Sequence, residues 1–275
     1  MTQSQAGNEG FARPAGRGAP VRPTGPAGAV GLGALKGRVA LVTGGNGGIG
    51  TALVTGLAAE GVSVAVGYGS RAGAAEELAS KITADGGKAV AFRADLRSAE
   101  APAELISTVE DALGPVDVLV SNAGMGGAKA LEEVYAEDFD QMMAVNLRAP
   151  FLLAKRVLPA MRERGFGRIL FMSSVAAFTG GVVGPHYAAS KAGLHGLTHY
   201  LAARFADVGV TVNALAPALI TETGMLPGSP EELARHIPVG RLGLPAEVAD
   251  MALAMLRNPY LTSQVVGLDG GMYPR

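Results

Sequence analysis

Short apolar runs alternate with longer helical stretches along most of this chain. The runs are Arg38 to Thr43, Val62 to Tyr68, Lys88 to Ala94, Val116 to Ser121, Arg168 to Ser173, Gly209 to Leu215 and Val265 to Leu268. The first runs straight into glycines and the fourth ends Ser-Asn-Ala-Gly, as buried strands do where the chain turns. Between them lie stretches that read as helices: Thr51 to Glu60, Ala72 to Ala84, Ala101 to Leu113, Asp138 to Arg164, His186 to Ala206 and Pro245 to Arg257. Gly86-Gly87 and Gly165 to Gly167 close two of them. Strand and helix alternate in order, which predicts one α/β domain, a Rossmann-type doubly wound parallel sheet of about seven strands with helices on both faces. Residues 217–243 break the alternation. With Pro227, Pro230 and Pro238 they read as an irregular lid or substrate loop.

Candidate chemistry collects at the carboxyl ends of the strands. After the first comes T-G-G-N-G-G-I-G, which supplies Thr43, Gly44, Asn46, Gly47, Gly48, Ile49 and Gly50. A strand, a glycine-rich turn and a helix N-terminus make a phosphate cradle, because glycines admit the backbone of the ligand and the helix end offers free N–H groups. The second strand ends Tyr68-Gly69-Ser70-Arg71, without the acid that would grip a ribose diol. Ser70 and Arg71 suit a 2′-phosphate instead, which favours NADP(H) over NAD(H). Asp95-Leu96 follows the third strand. Its carboxylate serves either as an acceptor for an adenine amino group or as a cap for the next helix. The fourth strand ends Ser121-Asn122-Ala123-Gly124, where Asn122 can tie neighbouring strands and the small residues let a cofactor lie close. Asn146 stands in a long apolar helix and needs a polar partner there. Ser174 follows the fifth strand. Tyr187 and Lys191, four residues apart, share a helix face and put a phenol and an ammonium into the same space.

Composition narrows the classes. The chain has 275 residues and a net charge of −1, so no broad field draws nucleic acid or an anionic membrane. It has no cysteine, hence no disulfide and no thiolate metal site; no metal is expected, and a reducing cytoplasm suits it. No apolar stretch reaches the ~18 residues of a spanning helix. The first 35 residues are rich in Gly, Pro and Ala, carry Arg13, Arg17 and Arg22, and show no periodicity. They read as a disordered extension ahead of a domain over 36–275.

Together, T-G-x-x-x-G-x-G, N-A-G, the helix asparagine and Ser…Tyr-x-x-x-Lys resemble the short-chain dehydrogenase/reductase family from about Leu35 to Arg275. The stretches Ile237 to Ala249 and Tyr260 to Gly271 are most similar to the 3-oxoacyl-[acyl-carrier-protein] reductase group. The resemblance implies a tetrad of Asn146, Ser174, Tyr187 and Lys191. In it, Tyr187 is general acid in carbonyl reduction, and Ser174 binds the substrate oxygen. Lys191 holds the nicotinamide ribose and lowers the phenol pKa from ~10. Asn146 fixes a water in a proton relay to Lys191. Pro217, Ile220 and Thr221 (or Thr223) would meet the carboxamide end of the cofactor. The family's Pro-Gly here reads Pro217-Ala218, a change that matters only if the backbone needs a positive φ. Ala177, Val182, Val183 and Met225 suggest an apolar substrate pocket. The implied activity is NADP(H)-dependent reduction of a 3-oxoacyl thioester or similar β-keto compound. The alternatives are a ketoreductase for a free small or polyketide-type substrate, and a catalytically silent cofactor-binding regulator. The implied assembly is a homotetramer through the two long helices. Docking of acyl carrier protein needs basic residues at the ends of both; Arg162 and Arg164 fit the first, and Asp207 occupies the second.

Overall fold

The computed structural model describes residues 31, 33–224, 226 and 228–274. Most of the proposed extension, together with Met225 and Pro227, lies outside the described residues. Leu35, next to the expected boundary at residue 36, is only 1% exposed and packs in the core.

Seven strands form one parallel sheet in the order β3-β2-β1-β4-β5-β6-β7. They are β1 (Val39–Thr43), β2 (Ser63–Tyr68), β3 (Lys88–Arg93), β4 (Val118–Ser121), β5 (Gly167–Met172), β6 (Val210–Pro217) and β7 (Val265–Leu268). The register runs Val42 beside Val66 on one side and Val120 on the other. The sheet is buried on both faces. Ala40 and Val42 belong to one apolar cluster, and Val39 and Leu41 to the other. The first face is covered by α1 (Gly48–Ala59), α2 (Ala72–Ala84) and α9 (Pro245–Arg257), and the second by α3 (Ala101–Leu113), α5 (Ala149–Arg164) and α7 (Pro185–Phe205). Each buried Leu, Ile or Phe in these layers contributes about 1.5–3 kcal/mol. Gly56 lets α1 and α9 meet closely, since a Cβ there would stand 2.7 Å from Leu253 Cδ1.

Three expectations change. First, α1 begins at Gly48 rather than Thr51, so Gly48, Ile49 and Gly50 are themselves its first turn. Second, the stretch 138–164 is not one helix. It is α4 (Ala136–Met143), a π-helical segment (Ala144–Arg148) and α5. Such bulges insert a residue into the ladder and often mark functional positions. Asn146 sits in this one. Third, the lid contains structure: α8 (Pro230–Ala234) is capped by Ser229, whose Oγ accepts from Glu232 N, and Ile220 pairs with Gly243. A further short helix, α6 (Ala176–Thr179), follows β5.

The order of strands places β1 beside β4, so successive connections leave toward opposite sides there. A crevice opens outside the carboxyl ends of strands at such a point. The site residues lie along it.

Candidate active site

The cradle follows directly from glycine geometry. Gly44 has a φ of 62°, and a Cβ on it would lie 2.9 Å from Ala123 Cα. A Cβ on Gly50 would lie 2.0 Å from Gly44 O. The two turns therefore close on each other only with glycine in those places. Asn122 staples them: its Nδ2 donates to Thr43 O and Gly44 O, both at 3.1 Å. Thr43 Oγ1 accepts from the N–H groups of Asn122 and Ala123, at 3.1 and 3.0 Å. The N-terminus of α1 has glycine as N-cap, no side-chain cap and no acid in its first turn. Its N–H groups and positive dipole end thus stay available to an anion. These features fit a dinucleotide pyrophosphate.

Arg71 and Asn46 join the next turn to this one. Arg71 Nη2 donates to Asn46 O at 3.2 Å, and Asn46 Nδ2 donates to Ser70 O at 2.9 Å and Arg71 O at 3.1 Å. Arg71 holds a left-handed backbone (φ 56°) as the N-cap of α2. Tyr68 ends β2 and packs on the core beneath. Asp95 is gripped by Arg97, with Nη2 2.7 Å from Oδ2 and Nε 2.9 Å from Oδ1. These bonds hold its carboxyl well down, at about 2. It does not cap α3, whose N-cap is Glu100. Leu96 beside it is half-buried.

The lid reaches the cradle. A Cβ on Gly48 would meet Glu222 O at 2.3 Å. Leu219 and Glu222 take positive φ values of 52° and 60°, whereas Ala218 does not, so the methyl after Pro217 meets no left-handed strain. Pro217 O accepts from Val175 N at 3.1 Å and joins β6 to the catalytic loop. Ile220 is buried. Thr221 Oγ1 donates to Gly243 O and Thr223 Oγ1 to Ile220 O, so hydrogen bonding does not set the two candidate threonines apart.

The four tetrad residues come together at the β5 end. Tyr187 and Lys191 share the inner face of α7; Lys191 Nζ lies 5.8 Å from the phenol ring centroid and donates to Met172 O at 2.8 Å. Ser174 lies near enough to Tyr187 to favour its phenolate. A Cβ on Gly124 would stand 3.3 Å from Lys191 Nζ and 3.4 Å from Asn146 Oδ1, so both groups border one small space. Asn146, only 1% exposed, accepts from Met125 N at 2.9 Å and donates to Met125 O and Ser190 Oγ at 3.0 and 3.1 Å. Ser173 points elsewhere, to Lys191 O and His195 Nε2. That separates the two serines and leaves Ser174 at the site.

Burial pushes the Tyr187 phenol up, and nearby Ser174 offsets only part of the rise. Burial also pushes the Lys191 ammonium down, to about 8. Sequence reasoning also missed Ser190, which donates to Tyr187 O at 2.7 Å and touches Asn146. Its position three residues after Tyr187, on the same helix face, was the available signal.

Around the phenol lie Met125, Met142, Ala176 and Val183. Of the expected pocket residues Val183 is in place, Ala177 is half-buried, and Val182 faces solvent at 72% exposure. Arg164 is taken up internally, donating to Val116 O and pairing with Asp117, and Arg162 lies over the Phe205 ring. Among the described residues no cluster could hold a metal ion, and no helix is long and apolar enough to cross a membrane.

Known proteins resemble this chain in sequence and fold. The family model described as short chain dehydrogenase matches residues 38–234. A 3-oxoacyl-[acyl-carrier-protein] reductase of Synechocystis sp. is 38% identical over 242 residues, 87% of this chain and 98% of the relative. An acetoacetyl-CoA reductase of Allochromatium vinosum is 36% identical over 244 residues, 86% of this chain and 98% of the relative. A blue fluorescent protein from a metagenomic library, solved in complex with NADPH, superimposes with a TM-score of 0.82 at 35% identity, covering 87% of this chain and 99% of that one. The chain belongs to the short-chain dehydrogenase family, and is an oxidoreductase that uses a nicotinamide cofactor on CH–OH or keto groups.

Proposed function

We propose that this chain is an NADP(H)-dependent reductase of a 3-oxoacyl thioester or similar β-keto compound. The observation that carries it is the convergence of Tyr187, Lys191 and Asn146 on the space left by Gly124, in an apolar corner where Ser174 acts on the phenol. Ala123 and Gly124 would leave room against the backbone for a nicotinamide, which when bound would supply the hydride to the carbonyl carbon. Tyr187 gives its phenolic proton to the oxygen as charge develops there, and Ser174 donates a hydrogen bond to the same oxygen. A phenol pushed up by burial stays protonated at neutral pH, which suits it as the acid of reduction. Lys191 would bind the ribose hydroxyls and, with Asn146 Oδ1 across the same space, would return a proton to the phenol.

The β-keto class is supported by the names of the two relatives. NADP(H) is supported by Arg71 and Ser70 at the cradle and by the NADPH-bound neighbour. A second reading, a ketoreductase for a free substrate, is favoured by the internal commitment of Arg164 to Asp117, which removes one base from a carrier-docking surface. A silent regulator is disfavoured by the intact tetrad. Assembly into a homotetramer is supported by a groove between α5 and α7 lined by Phe151, Leu158, Leu201 and Phe205, in which Phe151 stays exposed; sedimentation at micromolar concentration tests it.

A panel of 3-oxoacyl-CoA and carrier-bound thioesters against free ketones, with each nucleotide, tests the reading. Fastest turnover of a 3-oxoacyl thioester with NADPH is expected. Free ketones reduced faster than any thioester would replace the first reading by the second. Arg71→Ala should weaken NADPH by about tenfold and leave NADH unchanged; equal effects on both would remove Arg71 from the 2′-phosphate.

A further inference from the structure

The segment Asp269–Tyr273 follows β7 and touches both walls of the substrate corner. On the lid side, Val239 N donates to Gly270 O at 3.1 Å, and a Cβ on Gly270 would lie 2.6 Å from Ile237 Cγ2. On the other side, the Tyr273 ring stacks on Phe178 of α6, with centroids 6.0 Å apart and planes 14° apart. The fold-back is built in: the Asp269 carboxylate accepts from Gly271 N at 3.0 Å and from Tyr273 N at 3.2 Å. Phe178 in turn lies 4.6 Å from the His195 ring of α7. His195 Nε2 is 2.8 Å from Ser173 Oγ, and Ser173 Oγ is 3.1 Å from Lys191 O. A serine hydroxyl has one proton to give. Ser173 gives it to Lys191 O, so His195 donates from Nε2. One packed path therefore runs from Tyr273 through Phe178, His195 and Ser173 to the backbone of Lys191. The helix that carries Phe178 starts two residues after Ser174, whose Oγ accepts from Ala176 N at 3.2 Å.

We infer that Tyr273 is a positioning and specificity-determining residue for the carbonyl substrate, acting through Phe178 on the wall that begins at Ser174. This rests on the reading of the corner as a carbonyl-reducing site. The ring meets Phe178 on the helix that begins two residues after Ser174, so its effect should fall on the substrate before the dinucleotide. Truncating it removes one of the ring contacts that hold Phe178 and should loosen α6.

The test uses the full chain with Tyr273→Ala, Tyr273→Phe and, should the alanine variant not fold, Tyr273→Leu. The readouts are KM and kcat for 3-oxobutanoyl-CoA, NADPH affinity by fluorescence, and amide exchange. For Tyr273→Ala, KM should rise about fivefold, with kcat and NADPH affinity within about twofold, and Tyr273→Phe should restore it. Amides of Ala176 to Gly180 should exchange faster while those of α1 do not. Unchanged KM and unchanged exchange at α6 would overturn the inference. So would a loss shared by KM, NADPH affinity and exchange throughout the chain. Exchange needs no turnover: if the wild type reduces no carbonyl, the catalytic reading fails on its own, and α6 exchange alone decides the coupling.

Discussion

Arg168 and Lys191 are both buried cations, one at the amino edge of the sheet and one at the carboxyl edge. Burial depresses both, Arg168 to about 10 and Lys191 to about 8. Their surroundings differ. Arg168 donates to the carbonyls of Leu256, Gly167 and Gly209 and lies over the Phe166 ring. Nearby, Arg38 and Arg164 share Asp117, and Arg257 holds Glu60. This edge ties α9, β5 and the loop before β6 together. Lys191 Nζ donates to Met172 O and borders a space kept open by Gly124. It titrates within reach of physiological pH, next to a phenol and an amide. Buried charge alone therefore does not mark a catalytic site. Buried charge with spare hydrogen-bonding capacity, beside a glycine that leaves room for a ligand, does.

The comparison breaks first at Tyr187. Tyr187→Phe should lower kcat by about 10³-fold while NADPH binding and melting temperature hold; a kcat within tenfold of the wild type would end its role as acid. Ser174→Ala should cost about 10²-fold in kcat, and Ser173→Ala much less, its loss being mainly about 1 kcal/mol of stability. Equal losses in turnover would erase the distinction drawn from the two serines' partners. For pH, the sign follows from Lys191: it is charged below about 8 and neutral above. Reduction, measured as kcat/KM for the carbonyl, should be flat below that value and fall by up to tenfold per pH unit above it. A profile flat to pH 10 would show that the charge on Lys191 is not used. Arg168→Met should leave kcat/KM per folded molecule within about twofold and cost about 3 kcal/mol of stability, because three carbonyls lose their donor. A large catalytic loss at constant stability would make the amino edge part of the machinery after all.

The strands were legible because a parallel sheet buried on both faces writes unbroken apolar runs, as in Arg38 to Thr43 and Arg168 to Ser173. The cradle was legible because only glycine fits at Gly44 and Gly50. The structure also brings Asn146, Ser174, Tyr187 and Lys191 to one corner, as their order in the chain implied. The π-helical step at Asn146 was not legible: periodicity continues through it, and the insertion shows only in backbone hydrogen bonding. Nor was the direction of the Tyr187 shift, which depends on burial rather than on the nearby cation. The Asp95–Arg97 pair and the contacts of Tyr273 and His195 depend on where side chains land after folding. No spacing along the chain encodes those.

Hydride transfer to a carbonyl by this corner can be followed directly. Purified full-length chain is given NADPH carrying deuterium at the transferable position, together with 3-oxobutanoyl-CoA, and the product is weighed by mass spectrometry. One hydroxyacyl thioester should form per NADPH oxidised, with the deuterium on the former carbonyl carbon, and no such product should come from Tyr187→Phe on the same timescale. NADPH oxidised without label in the product, or labelled product formed as fast by Tyr187→Phe, would contradict it.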